Sequence, residues 1–187
     1  MTGLTMTIVT RLSISALLVM LLAISGCSGP NARSMVPATV EQNNLAAISK
    51  SVRIAEVTGG RKSTFGGAAM ISNELLKAAL LETFQRAKIF RSVVSEGESD
   101  IDLQANIVSQ GQKIGSLLEY RHNMIVNYNF IDRKSGNVAW RETYQSEFGS
   151  RAFAGGTRTV RSVEGTVREN LMLLLQDVQT RWPSDFR

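Results

Sequence analysis

Residues 120–148, YRHNMIVNYNFIDRKSGNVAWRETYQSEF, hold the longest two-residue alternation in the chain. Met124, Val126, Tyr128 and Phe130 fall on one side of an extended backbone, and Asn123, Asn127 and Asn129 fall on the other. Successive side chains of a strand point to opposite faces, so this pattern predicts a strand with one face in a core and one in water. Arg133-Lys134-Ser135-Gly136 supplies a turn, with glycine where a positive φ is expected. Val138–Phe148, carrying Trp140 and Tyr144, then returns as the antiparallel partner.

Upstream, Ile101, Leu103, Ala105 and Ile107 alternate with Asp102, Gln104 and Asn106, which predicts another half-buried strand. Val52 and Ile54 alternate with Arg53 in Ser51–Val57, a first strand. Between them runs a helical stripe of Leu76, Leu80 and Phe84 with Leu75, Ala79 and Ala87. Ser72 is its expected N-cap, with Glu74 at the positive end of the dipole and Lys88 near the negative end. Ile89–Val94 reads as a short extended segment, a bracketed strand in the order β-α-(β)-β-β-β-α that is not counted among the four of the sheet. Downstream, Val160, Val163, Val167, Leu171, Leu174 and Val178 mark a long helix through Thr180, widened by Leu173 and Leu175 and closed by Pro183. Two amphipathic helices can hide their stripes only against one face of a sheet. The expected fold class is therefore α+β: a two-layer sandwich of a mainly antiparallel four-stranded sheet and two helices on one face.

The amino-terminal quarter has a different character. Arg11 and the terminal amine precede an apolar run, Leu12–Ile24, of about 13 residues, too short to span a bilayer as a helix. It ends at Leu21-Leu22-Ala23-Ile24-Ser25-Gly26-Cys27, where the only cysteine follows two small residues. This stretch resembles the lipobox of bacterial lipoproteins. The resemblance implies cleavage before Cys27, acylation of its thiol, and a periplasmic protein anchored by lipid such as palmitate. Ser28, where inner-membrane retention would favour Asp, implies the periplasmic face of the outer membrane. The expected organisation is a signal peptide at 1–26, a lipidated tether at 27–49 with an ordered piece near Leu45–Ile48, and one domain at 50–183. A flexible tether of about 20 residues would span roughly 25 Å.

The patterns NELLKAALLETFQRAKIFRSVV, DIDLQANIVS and YNFIDRKSGNVAWRETY resemble a group of periplasmic α/β domains. The group includes the curli-secretion lipoprotein, the lipoprotein activators of penicillin-binding proteins and the N-terminal domain of the Tol–Pal propeller protein. RSVEGTVRENL, Arg161–Leu171, is similar to the opening of the last helix in small proteobacterial lipoproteins. These likenesses imply an accessory of the cell envelope and carry no catalytic motif.

The net charge is +5, a modest excess that does not imply nucleic acid. With Cys27 lipidated no thiol is left for a disulfide or a redox site. His122 is the only histidine, so Cys–His catalysis and a zinc site lack ligands. Glu96, Glu98, Asp100 and Asp102 alternate without the spacing of a calcium loop. Gly59-Gly60-Arg61-Lys62-Ser63 lacks the spacing of a phosphate loop. Gly165 inside a helix points to close packing, and Glu164 and Arg168 have the spacing of a surface ion pair. If the strand at 101–109 is parallel to the first, loops 58–70, 110–119 and 149–158 share one edge. Arg61, Lys62, Lys113, Arg151 and Arg158 would then meet two uncapped helix N-termini there, favouring an anion or an acidic partner.

The function expected is a non-enzymatic binding or assembly lipoprotein that contacts an envelope protein, lipopolysaccharide or peptidoglycan, with no cofactor, metal or nucleic acid. Two alternatives stand beside it. One is a transferase or hydrolase acting on envelope glycan or lipid, as in look-alikes bearing an acyltransferase name. The other is a lipid- or lipopolysaccharide-handling lipoprotein.

Overall fold

The computed structural model describes residues 29–38, 48–63, 69–116, 119–153 and 155–182. In chain order these form α1 (Ala32–Met35), β1 (Ile48–Thr58), α2 (Asn73–Ala87), β2 (Phe90–Val94), β3 (Ile101–Ser116), β4 (Glu119–Asp132), β5 (Val138–Arg151) and α3 (Gly155–Arg181). The strands make one sheet in the order β2-β1-β3-β4-β5. β1 is parallel to both neighbours, whereas β3, β4 and β5 are antiparallel. The class is α+β as expected, but the sheet has five strands and is mixed.

The extra strand is the short extended segment, which the element order bracketed and the four-stranded sheet left out. Phe90–Val94 pairs with β1 because burying Ile89 and Phe90 draws the chain against it, and Ile48 N–H donates to Ile89 C=O at 2.7 Å. Phe90 joins an aromatic cluster: its ring centroid is 5.5 Å from Phe84, 6.1 Å from Phe130 and 5.4 Å from Trp182. Since β2 and β3 flank β1 on opposite sides, the link between them passes over β1. Arg53 stands beneath that link, bidentate to Asp102 at 2.9 and 2.6 Å and bonded to Gly97 C=O at 3.1 Å.

The helix stripes behave as the spacing demands. Leu76, Ala79, Leu80, Phe84 and Ala87 of α2 are buried, as are Val163, Val167, Leu171, Leu174, Leu175 and Val178 of α3. They meet Met124, Val126, Tyr128 and Phe130 on the inner face of β4. Ser72 Oγ accepts from Leu75 N–H at 3.2 Å, so the N-terminus of α2 is capped rather than open. Lys88 closes the helix in the left-handed region, φ 51°. The β4–β5 turn has Gly136 at φ 73°, a conformation that glycine adopts without a Cβ clash.

Part of the stretch read as a tether is packed. Met35 and Val36 are 0% and 5% exposed, and Met35 belongs to the core. The domain therefore begins upstream of residue 50, and strand β1 begins at Ile48. Residues 1–28, with Cys27, the supposed ordered piece near Leu45 and Pro183 lie outside the described residues. Among the described residues no helix is long and apolar enough to cross a membrane.

Candidate functional site

The RSVEGTVRENL segment of α3 binds the fold together residue by residue. Ser162 is buried, its Oγ donating to Thr159 C=O at 2.9 Å. A Cβ at Gly165 would overlap the Phe148 ring, so the glycine admits β5 against the helix. Thr166 Oγ1 donates to His122 C=O at 2.9 Å and lies 2.8 Å from Ser162 C=O. Asn170 forms a buried polar pin: Tyr128 O–H donates to its Oδ1 at 2.8 Å, and its Nδ2 donates to Tyr144 C=O and Ser146 Oγ at 3.1 Å each. Burial pushes the Tyr128 phenol well above its ordinary range, so it stays a neutral donor.

Glu164 and Arg168 do not pair with each other as their spacing suggested. Glu164 accepts from Asn31 N–H at 2.9 Å, and the Arg168 guanidinium donates to Ser34 C=O. Both reach the N-terminal segment, because a backbone donor and acceptor there outcompete a solvated pair on a helix surface. With Asn31 capping α1 through Arg33 N–H at 3.0 Å, these bonds lay residues 29–36 along α3. Gly29–Ala32, Ser34, Leu75, Thr157, Val160, Arg161 and Glu164 border an open cavity of about 670 Å³.

His122 is buried on the inner face of β4 between Gln112 and Phe148. Neither ring nitrogen has a hydrogen-bond partner among the described residues, and burial pushes its pKa down to about 4. It is a neutral imidazole at neutral pH, and among the described residues no nucleophile is hydrogen-bonded to it as a general base requires. The acidic run has structural work instead. Asp100 accepts from Ser51 N–H and Oγ at 2.7 Å each, and those bonds hold its carboxyl below the usual range. Asp102 holds Arg53. Among the described residues no three of His, Cys, Asp and Glu are grouped as metal ligands would be.

The basic residues predicted to share an edge do lie at one end of the molecule. β1, β3 and β5 all finish there, and α2 and α3 start there. The loops themselves are shorter than expected, since residues 110–116 and 149–151 continue as strand. Extending β3 to β5 beyond the end of β1 satisfies backbone groups that loops would leave to water. Gln110 replaces the missing neighbour strand: its amide accepts from Ile71 N–H at 2.8 Å and donates to Ile71 C=O at 3.0 Å.

That continuation places the cations on different surfaces. Lys113 stands opposite Arg121 on the open face of the sheet. Arg151, at the β5 edge, pairs with Glu119 at 3.2 Å, and Arg121 pairs with Glu119 and Glu147 at 2.9 and 3.1 Å. Bonds from Arg151 and Arg121 hold the Glu119 carboxyl below its ordinary range. Arg158 lies on α3, in the opposite layer. Arg61 and Lys62 are exposed on the β1–α2 connection, Lys62 close enough to help lower the Glu74 carboxyl, which bonds chiefly to Ser72. The five residues share an end but not a single pocket. A groove of about 520 Å³ between the β5 edge and α3 brings Arg151 together with Arg161, Glu164 and Arg168, a grouping the sequence reading did not anticipate.

The fold has solved counterparts. A Xanthomonas campestris protein of family DUF330 superposes with a TM-score of 0.62 at 12% identity, over 77% of this chain and 91% of that one. A Caulobacter crescentus protein named "putative lipoprotein" gives 0.47 at 12% identity, over 68% and 88%. The minor lipoprotein of Acinetobacter baumannii gives 0.43 at 9% identity, over 71% and 94%. At 12% identity the Xanthomonas match establishes a shared fold and nothing beyond it. No family model and no curated protein matches the sequence.

Proposed function

We propose that this chain is a lipoprotein of the bacterial envelope, anchored through acylated Cys27 to the periplasmic face of the outer membrane, and that it binds or assembles with an envelope component without catalysing a reaction. The observation that carries the anchoring is the apolar run ending in Ser25-Gly26-Cys27, followed by Ser28. The binding role is supported by the sheet. Its helix-free face displays Asn106, Asn123, Asn127, Asn129 and Thr143 beside the Glu119–Arg121–Arg151 ion pairs, a broad polar surface. Such a surface suits a protein or a hydrated anionic polymer such as lipopolysaccharide or peptidoglycan.

Two measurements test this. Cys27→Ser removes the sulfur that accepts lipid, so the precursor should accumulate uncut and without acyl label; normal acylation of the variant would end the reading. Photo-crosslinking in intact cells from Arg61, Gln112 and Arg151 should then capture an envelope component. Turnover of an envelope glycan or lipid by the purified protein would replace a binding role with an enzymatic one.

A further inference from the structure

The N-terminal segment runs alongside α3 in the same direction. Gly29 shares a cavity with Thr157 and Val160, Asn31 bonds Glu164, and Ser34 bonds Arg168. Extrapolated backwards, the chain leaves the domain at the N-terminal end of α3. Only Ser28 separates Gly29 from Cys27, so the Cys27 Cα lies at most about 7 Å from that of Gly29. Any lipid on Cys27 thus emerges beside that end, with almost no slack.

Among the described residues, those around the exit include the groups that a bilayer contact uses. Phe153 and Ile114, 93% and 78% exposed, carry the two most exposed large apolar side chains among the described residues, and both belong to this end. Phe153 is four residues from Thr157, hence within about 14 Å of it. Arg161 borders the exit cavity, is exposed and has no ion pair among the described residues, and Arg33 is exposed on α1. Glu164, the acid bordering the same cavity, is engaged by Asn31. An aromatic at the interface with arginines beside it suits an anionic headgroup layer.

We infer that the docked segment 29–36 holds the domain flush against its own membrane, with the N-terminal end of α3, Phe153 and Ile114 facing the lipid and Arg33 and Arg161 at the headgroups. This rests on Cys27 being acylated. The opposite end, with the 133–136 turn, then points away from the bilayer. The β4 strand alone separates the two ends by about 44 Å, at 3.4 Å per residue.

The test uses the full acylated protein. Because lipid consumes the only native thiol, Thr157→Cys or Ser135→Cys introduces a single site for a fluorescent label. The protein is reconstituted in phosphatidylethanolamine–phosphatidylglycerol vesicles containing nitroxide-headgroup lipid. Label at 157 should be quenched several-fold more than label at 135. A flexible Gly-Ser linker inserted between Ser28 and Gly29 leaves the folded part intact and should abolish the difference. Equal quenching at the two sites in acylated, vesicle-bound protein would overturn the inference while leaving the anchor reading standing. Strong quenching at 157 that survives the linker would overturn the role given to the docked segment. Absence of acyl chains from Cys27 would end the anchor reading itself, and the inference with it.

Discussion

Asn170 is the residue whose loss the structure makes most quantifiable. Asn170→Ala strands the Tyr128 O–H, which sits in a fully buried site with Asn170 Oδ1 at 2.8 Å, and removes the donor shared by Tyr144 C=O and Ser146 Oγ. An unsatisfied buried donor costs about 1–3 kcal/mol, and a lost bond elsewhere about 1 kcal/mol. The variant should lose about 2–4 kcal/mol. For a domain of this size, about 3 kcal/mol lowers Tm by roughly 6–12 °C. Tyr128→Phe alone should lose less, since only the Asn170 acceptor is stranded. The assay is urea unfolding of the protein without residues 1–27, as wild type, both single variants and the double variant. The cycle should give a coupling of about 1 kcal/mol. Additive losses would refute the buried pin, leaving Tyr128 and Asn170 as independent packing residues.

Gly165→Ala gains about 1 kcal/mol of helix propensity, yet its Cβ meets the Phe148 ring, so a net loss of about 1–2 kcal/mol is expected. In a Phe148→Ala background the same change should stabilise, and unfolding curves of the four proteins check both signs. His122 titrates near 4 folded against 6.5 unfolded, so its contribution is fully present above pH 6.5 and is lost as pH falls toward 4. The loss amounts to about 3 kcal/mol, at 1.36 kcal/mol per pKa unit. His122→Leu should flatten the stability profile in that window, and an unchanged profile would mean that the imidazole is hydrated. Leu80→Ala and Leu174→Ala, each fully buried, should cost about 2–5 kcal/mol by chemical denaturation.

Periodicity made the helices and the β4–β5 hairpin legible, because those elements each bury one face and so write it into their spacing. Ser72, Gly136 and the stripes of α2 and α3 needed no tertiary information. Strand β2, only bracketed in the sequence reading, has five residues, too few for an alternation to declare itself, and its place depends on Phe90 finding Phe130 and Trp182. The last seven residues of β3 and the last three of β5 were read as loops because Gly111, Gly115 and Gly149 look like turn residues. Their pairing with β4, Gly111 opposite Asn123 and Gly149 opposite Arg121, decides otherwise. The roles of Glu164 and Arg168 were hidden for a different reason. Local spacing offered them to each other, and only the fold brings Asn31 and Ser34 alongside α3. In the candidate site the sequence located the right end of the molecule, through strand direction, but could not assign Lys113 and Arg158 to opposite layers.

The RSVEGTVRENL segment unites these results. In one helical stretch, Gly165, Thr166 and Asn170 bind the sheet while Glu164 and Arg168 bind the N-terminal segment. Its sequence character is accounted for by attachment in both directions, to the core and to the exit of the chain. Under the orientation inferred above, the strands stand along the membrane normal. The polar face of the sheet and the β5 edge would then face neighbours in the same bilayer, and the 133–136 turn would face across the periplasm. A protein partner anchored in the same membrane would meet the sheet, and one bound through the turn would come from the opposite side. Crosslinks from Asn127 and from Lys134 separate the two, because the first should find envelope proteins of the same membrane and the second should not.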